Sequence, residues 1–216
     1  MEIQAPFNNV FVTVESKYVA HFSKMLRGAS LNPGTQVNPA DYVQMLGTVV
    51  SVPKKISNRR DYIGFSFADI QVGDKCIMRY DVVYSFVESA EGTHSFRNNF
   101  WYKGVDYWAA SIDKIFGVIR DGKIIMINGY CMIQDMEKKP LILTDTFDKR
   151  RATTTSATLI GIGNNLTTTE AVSAKQGDRV YYNPAVVQSY KINDKQFGII
   201  SQKHILGSEK DLPLLD

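Results

Sequence analysis

Hydrophobic residues along this chain recur mostly at every second position. Val10, Val12 and Val14 alternate with Phe11 and Thr13 between Asn9 and Glu15, a period that predicts a strand with one buried face. Similar short runs rich in branched and aromatic residues occupy 47–52, 75–80, 82–87, 115–119, 123–127, 130–133, 158–162, 179–182, 197–200 and 204–206. Turn signals separate them: Asn32-Pro33-Gly34, Gly73-Asp74, Asp121-Gly122, Asn128-Gly129, Gly177-Asp178 and Asn183-Pro184. Many short strands joined by such turns predict a mostly β chain of barrel or sandwich type. Helical spacing is scarce, and the best stretch is 16–27, with Ser16 as a candidate N-cap.

The pattern also repeats. Gly47-Thr-Val-Val-Ser-Val52 is echoed by Ala157-Thr-Leu-Ile-Gly-Ile162, and Gln71-Val-Gly73-Asp74-Lys-Cys-Ile by Lys175-Gln-Gly177-Asp178-Arg-Val-Tyr. Phe116-Gly-Val-Ile119, with the Arg-Asp-Gly-Lys-Ile-Ile after it, is echoed by Phe197-Gly-Ile-Ile200 and Ser-Gln-Lys-His-Ile-Leu. Three blocks in the same order predict two consecutive copies of one unit, at 1–128 and 129–216. The first copy is longer: 43 residues separate Gly73 from Phe116, against 20 between Gly177 and Phe197. The excess is expected at about 85–108, where Phe86, Phe96, Phe100, Trp101, Tyr102, Tyr107 and Trp108 are more aromatic surface than one hairpin buries in itself.

Composition narrows the function. With 216 residues, 44% hydrophobic and 22% charged, the chain has enough apolar surface for a core and lies far from disordered compositions. A net charge of +3, spread along the chain, does not call for nucleic acid; Lys54-Lys55, Arg59-Arg60 and Lys149-Arg150-Arg151 read as solvated loops. Cys76 and Cys131 sit in apolar strand-like runs, where cysteine behaves as a small buried hydrophobe, so no disulfide is expected. The first ten residues do not read as a signal peptide, and no apolar run is long enough to span a membrane; a soluble intracellular protein without membrane contact is expected.

The blocks resemble those of the chaperonin-10 (GroES-like) co-chaperonin family. Residues 1–14, MEIQAPFNNVFVTV, resemble the family's opening Ile-x-Pro-Leu-x-Asp-x-Val-x-Val strand, and the Gly47 block its Gly-x-Val-x-x-Val-Gly strand. The two Gly-Asp blocks resemble its Val-Gly-Asp-x-Val strand, and residues 190–206 its closing strands. The resemblance implies two tandem small GroES-like β-barrels, the first with a long loop and an aromatic-rich insertion. It also implies a homo-oligomer whose loop after the first strand docks on a chaperonin ring through a Gly-Gly-Ile-Val-Leu end. The matching position reads Lys139-Pro140-Leu141-Ile142-Leu143-Thr144, with proline in place of glycine and a shorter approach. The corresponding loop of the first unit, 16–46, carries no such triplet.

Two surfaces are therefore candidates for partner binding. Leu141, Ile142 and Leu143 read either as a docking peptide that buries three adjacent side chains in a groove, with avidity from several copies, or as a core strand. Phe100, Trp101 and Trp108 read either as interface anchors or as a hairpin folded over its own neighbour. Catalysis finds no constellation: His21, His94 and His204 are isolated, the cysteines form no Cys-x-x-Cys pair, and Gly161-Ile-Gly163 lacks the rest of a dinucleotide fingerprint. The expectation is a non-enzymatic protein with no cofactor or metal. It would cap a chaperonin ring in the cytoplasm or, alternatively, act as a structural assembly protein, for example of a phage particle, through its aromatic insertion.

Overall fold

The computed structural model describes residues 3–15, 46–57, 64–84, 86–88, 94–96, 98–140, 153–164, 173–192 and 195–209. The helix expected at 16–27 lies outside them. The described chain is mostly β. Its first half contains β1 (Asn9–Thr13), β2 (Leu46–Ser51), β3 (Lys75–Met78), a one-turn helix α1 (Asp81–Tyr84), β4 (Phe86–Glu88), β5 (His94–Phe96), β6 (Asn99–Tyr102), β7 (Val105–Ser111), β8 (Ile115–Arg120) and β9 (Lys123–Met126). The second half contains β10 (Tyr130–Pro140), β11 (Thr153–Ile162), β12 (Arg179–Tyr182), β13 (Gln188–Ile192), β14 (Lys195–Ser201) and β15 (Ile205–Ser208).

Two antiparallel sheets result, ordered β6-β7-β1-β2-β3-β8-β9 and β13-β14-β10-β11-β12-β15, with β4 and β5 paired apart. Apart from β9, the two orders coincide strand for strand. The registers coincide as well: Asn9 to Val12 face Ser111 to Trp108, and Tyr130 to Ile133 face Ser201 to Gly198. Register shifts fall at matching places, between Phe11 and Val12 and between Met132 and Ile133, then between Ile77 and Met78 and between Tyr181 and Tyr182. The turns before β3 and β12 are bonded alike. Gly73 donates to Val49 O and Asp74 to Gln71 O, as Gly177 donates to Leu159 O and Asp178 to Lys175 O. The glycines take φ of 96° and 95°, a region that side chains resist.

Closed barrels were expected; among the described residues both sheets are open ladders, rolled by their connections. β7 and β8 stand four strands apart in the order, roughly 19 Å if the sheet were flat. A single 3-10 turn, Ile112–Lys114, joins them, and Gln202–His204 joins β14 to β15 in the same way. At about 2 Å of rise per residue such a turn cannot bridge a flat sheet, so the sheet must curl until its sides approach. The corner is bonded without a ladder: Arg79 donates to Lys114 O and Ile112 to Asn8 O.

Two expectations change. The run 82–87 divides into α1 and β4, because Asn98 Nδ2 donates to the carbonyls of Asp81 and Val82 at 3.4 and 3.1 Å and holds the turn. Phe116–Ile119 and Phe197–Ile200 are not counterparts: the first is in β8, paired with β3, and the second in β14, paired with β10. By position in the sheets, β14 answers to β7 and β15 to β8. The aromatic hairpin β6–β7 thus stands where β13–β14 stands in the other sheet, and what the first half adds among the described residues is β9, α1 and the separately paired β4–β5 hairpin.

The sheets share a core. Val10, Val12, Cys76, Ile77, Trp108, Ile115 and Val118 pack in one cluster with Met132, Tyr190, Ile192, Phe197 and Ile199 of the second sheet. A smaller cluster of Cys131, Ile133, Ala157, Leu159, Val180, Ile200 and Ile205 fills the inside of the second sheet alone. The joint between the sheets is therefore a packed interior.

Candidate protein-binding surfaces

Leu141, Ile142 and Leu143 lie outside the described residues, in the stretch that joins β10 to β11. The flanking strands are long: their register runs from Cys131 opposite Ile162 to Pro140 opposite Thr153. The hairpin arms thus carry the backbone up to residue 140, and β10 shifts register between Gln134 and Glu137, where Asp135 has φ of 53°.

The three aromatic candidates go to three environments. Side chains alternate across a strand, and the hairpin pairs Asn99 with Trp108, Phe100 with Tyr107 and Trp101 with Asp106. Trp108 is 4% exposed and belongs to the core. Trp101 is 70% exposed, beyond the end of the core. Phe100 lies half-buried on the outer face, stacked on Tyr107 at 5.5 Å between centroids and 4.7 Å from Phe11. Phe11 is the residue that sequence reasoning missed: alternation assigns it to solvent, yet it is buried beneath Phe100. The available sign was a large apolar ring between the polar Asn9 and Thr13 of that face.

A charged group marks the joint. Asp81 accepts from Arg79 Nε at 2.8 Å and Nη2 at 2.6 Å, and from Lys114 Nζ at 2.8 Å. Nearby, Tyr190 donates to Met78 O at 3.0 Å and Tyr130 to Asp113 O at 2.8 Å, two phenols of the second half tied to carbonyls of the first. Burial alone would push the Asp81 carboxyl up, but the hydrogen bonds from Arg79 and Lys114 prevail and hold it below the usual range. The bidentate bond from Arg120 likewise lowers Asp74. Both groups with lowered values stabilise the fold above the ordinary carboxylate range, and their contribution is lost as pH falls through the folded-state values. In Asp81→Asn, stability at neutral pH should fall by about 1 kcal/mol, screening allowed for, and the acid limb of a stability-against-pH curve below about pH 4 should become shallower. Urea titrations across that range check it; an unchanged acid limb would remove Asp81 as a contributor.

Little else suggests chemistry. Burial raises both thiols, Cys131 to about 12, which keeps them protonated and unreactive near neutrality. Among the described residues no three His, Cys, Asp or Glu side chains gather as a metal site, and no helix is long and apolar enough to cross a membrane. A groove of about 590 Å³ beside Gln71–Lys75 and Ile119–Gly122 has the Asp74–Arg120 pair in its wall, each partner satisfied by the other.

No curated protein matches the chain. The family described as Chaperonin 10 Kd subunit has a model that matches residues 123–208. That stretch runs from β9 to the end of β15, so it contains the whole second sheet and the hairpin whose connection carries Leu141, Ile142 and Leu143. Residues 123–208, less than half of the chain, are thus similar to the chaperonin-10 co-chaperonins.

Proposed function

We propose that this chain is a co-chaperonin-like protein, a tandem of two GroES-like units at about 1–128 and 129–216, that caps a chaperonin ring without catalysis of its own. The family match over residues 123–208 carries the reading. The coincident order and register of the two sheets support extending it to the first unit. Docking falls to Leu141, Ile142 and Leu143, because the β10–β11 arms present their connection at the end of a long paired hairpin and three adjacent apolar side chains suit a groove. Nucleotide chemistry belongs to the ring. No cofactor, metal or nucleic acid enters.

Co-elution with the chaperonin of its own host, with and without nucleotide, tests this. The wild type should bind in a nucleotide-dependent way, and the Leu141→Ser, Ile142→Ser, Leu143→Ser variant, its fold checked by circular dichroism, should lose at least about 100-fold in affinity as three buried anchors go. A folded wild type that does not bind removes the chaperonin. A second reading, a structural assembly protein such as a phage-particle component, is favoured by the outer aromatics: Trp101 is exposed, and Phe100 and Tyr107 are only half-buried.

A further inference from the structure

Ile127, Asn128 and Gly129 link β9 of the first half to β10 of the second. Tyr130 N donates to Ile127 O at 3.0 Å across a turn whose central residues, Asn128 and Gly129, take φ of 53° and 72°. Glycine is at ease in that left-handed region and asparagine tolerates it, which accounts for the pair. The same pair is chemically labile. Once deprotonated, Gly129 N can attack Asn128 Cγ: a C–N bond forms, the Cγ–Nδ2 bond breaks, and ammonia leaves with protons supplied by water. The succinimide ring so formed takes up water at either carbonyl and opens to an aspartyl residue or to an isoaspartyl one, in which the main chain runs through Cβ and Cγ. Glycine favours the attack because no side chain obstructs its nitrogen.

The fold withholds each requirement of that reaction. Gly129 is buried and its N–H donates to Asn164 O at 2.7 Å, so the nucleophile is occupied and sheltered from hydroxide. Asn128 is 6% exposed, and its Oδ1 accepts from Ser66 N at 3.0 Å, which fixes the side chain. Its Nδ2 is buried without a hydrogen-bond partner among the described residues, so no acid attends the departing ammonia. The restraints come from both halves: Ser66 precedes β3, Asn164 follows β11, and Gln202, which donates to Gly129 O at 2.8 Å, lies between β14 and β15. Ile127 is pinned too, its backbone 2.8 Å from where a Cβ on Gly163 would stand. The turn Asp121-Gly122 makes the contrast, with φ of 49° and 74° but both residues exposed. The labile pair thus sits where the sheets meet, and their parting frees it.

We infer that Asn128-Gly129 is a modification site gated by the joint: its deamidation is held off while the two sheets are packed together and proceeds when they part. The product acts back on the joint. An isoaspartyl linkage lengthens the main chain between the halves and breaks the turn bond from Tyr130 to Ile127. An aspartyl residue puts a carboxylate in a buried place that offers it the Ser66 N–H as donor, too little to offset the lost hydration of a charge. Opening of the joint thereby becomes a one-way event, and a chain that has stayed open is marked and does not close as before. The inference goes beyond the chaperonin reading and holds with or without that partner.

Mass spectrometry of the tryptic peptide Ile124–Lys138, whose only asparagine is Asn128, reads the conversion. In mildly alkaline buffer the folded full chain should convert at least about 100-fold more slowly than the same chain in guanidinium chloride. Phe116→Ala, which opens a void where the sheets meet, should convert at least about 10-fold faster than the wild type. Leu206→Ala should leave the rate unchanged: Leu206 is the extra residue at the β12–β15 register shift, as Phe116 is at the β3–β8 shift, but it is exposed. If Phe116→Ala does not fold, the wild type in urea below its unfolding transition replaces it, and the logarithm of the rate should rise with urea concentration. The isoaspartyl form, separated and refolded, should unfold at lower urea than the wild type. Conversion of the folded wild type at the guanidinium rate, a rate that neither Phe116→Ala nor urea changes, an equal acceleration by Leu206→Ala, or an isoaspartyl form as stable as the wild type overturns the inference.

Discussion

Phe116→Ala should cost about 4 kcal/mol of folding stability, the range for deleting a fully buried aromatic ring. Phe116 is enclosed in the cluster that both sheets share, and its edge-on contacts with Tyr130 and Tyr190 cross from one half to the other. Losing the ring opens a cavity at the joint and removes aromatic pairs worth about 1 kcal/mol beyond their area. Leu206→Ala, at the matching position of the second sheet, should change the stability of the monomer by less than about 0.5 kcal/mol, because little apolar surface is covered there. Urea unfolding of both variants at a concentration where the chain is monomeric measures the difference. A loss below about 1 kcal/mol for Phe116→Ala would mean that the joint tolerates a void, contrary to a packed interior.

Gly117→Val should cost about 3 kcal/mol by overpacking and should act on β9 first. The obstacle is Ile125 O, a backbone atom 2.6 Å from where the Cβ would stand, so the whole of β9 has to move. Hydrogen exchange should then quicken at Ile124, Ile125 and Met126 while the β3–β8 pairing keeps its protection. Gly161→Ala is the contrast: its Cβ would come within 3.0 Å of Met126 Cγ, a side-chain atom that can turn aside, and the cost should stay near 1 kcal/mol or less. Equal costs at the two positions would contradict the distinction between a fixed backbone neighbour and a pliant side chain.

Much of the architecture was legible from one line of residues. Period-two alternation located β1, and short runs rich in branched and aromatic residues located β2, β3, β8, β9 and β12 and the cores of β10, β11, β14 and β15, because such side chains suit a pleated, buried surface whatever it pairs with. The Gly73-Asp74 and Gly177-Asp178 turns were readable for a local reason: the positive φ admits glycine, and the following carboxylate accepts from the backbone two or three residues back, as Asp74 does from Gln71 N at 2.7 Å and Asp178 from Lys175 N at 2.8 Å. The strands β6, β7 and β13 were not separated out, since in the first hairpin aromatic residues occupy both faces and erase the alternation.

The sequence by itself determined that the chain is mostly β, that two of its segments repeat in order, and that residues near 100 and 141 carry unusual apolar surface; these follow from local period and turn chemistry. Only the tertiary structure decided which strands are counterparts. Phe116-Gly-Val-Ile119 and Phe197-Gly-Ile-Ile200 look alike, yet one pairs with β3 and the other with β10, because pairing is a long-range choice that a four-residue pattern does not encode. It also decided burial. Phe116 and Leu206 occupy matching positions in the two strand orders, and among the described residues one is enclosed while the other is exposed, because the second sheet packs over β8 at Phe116 through Tyr130 and Tyr190.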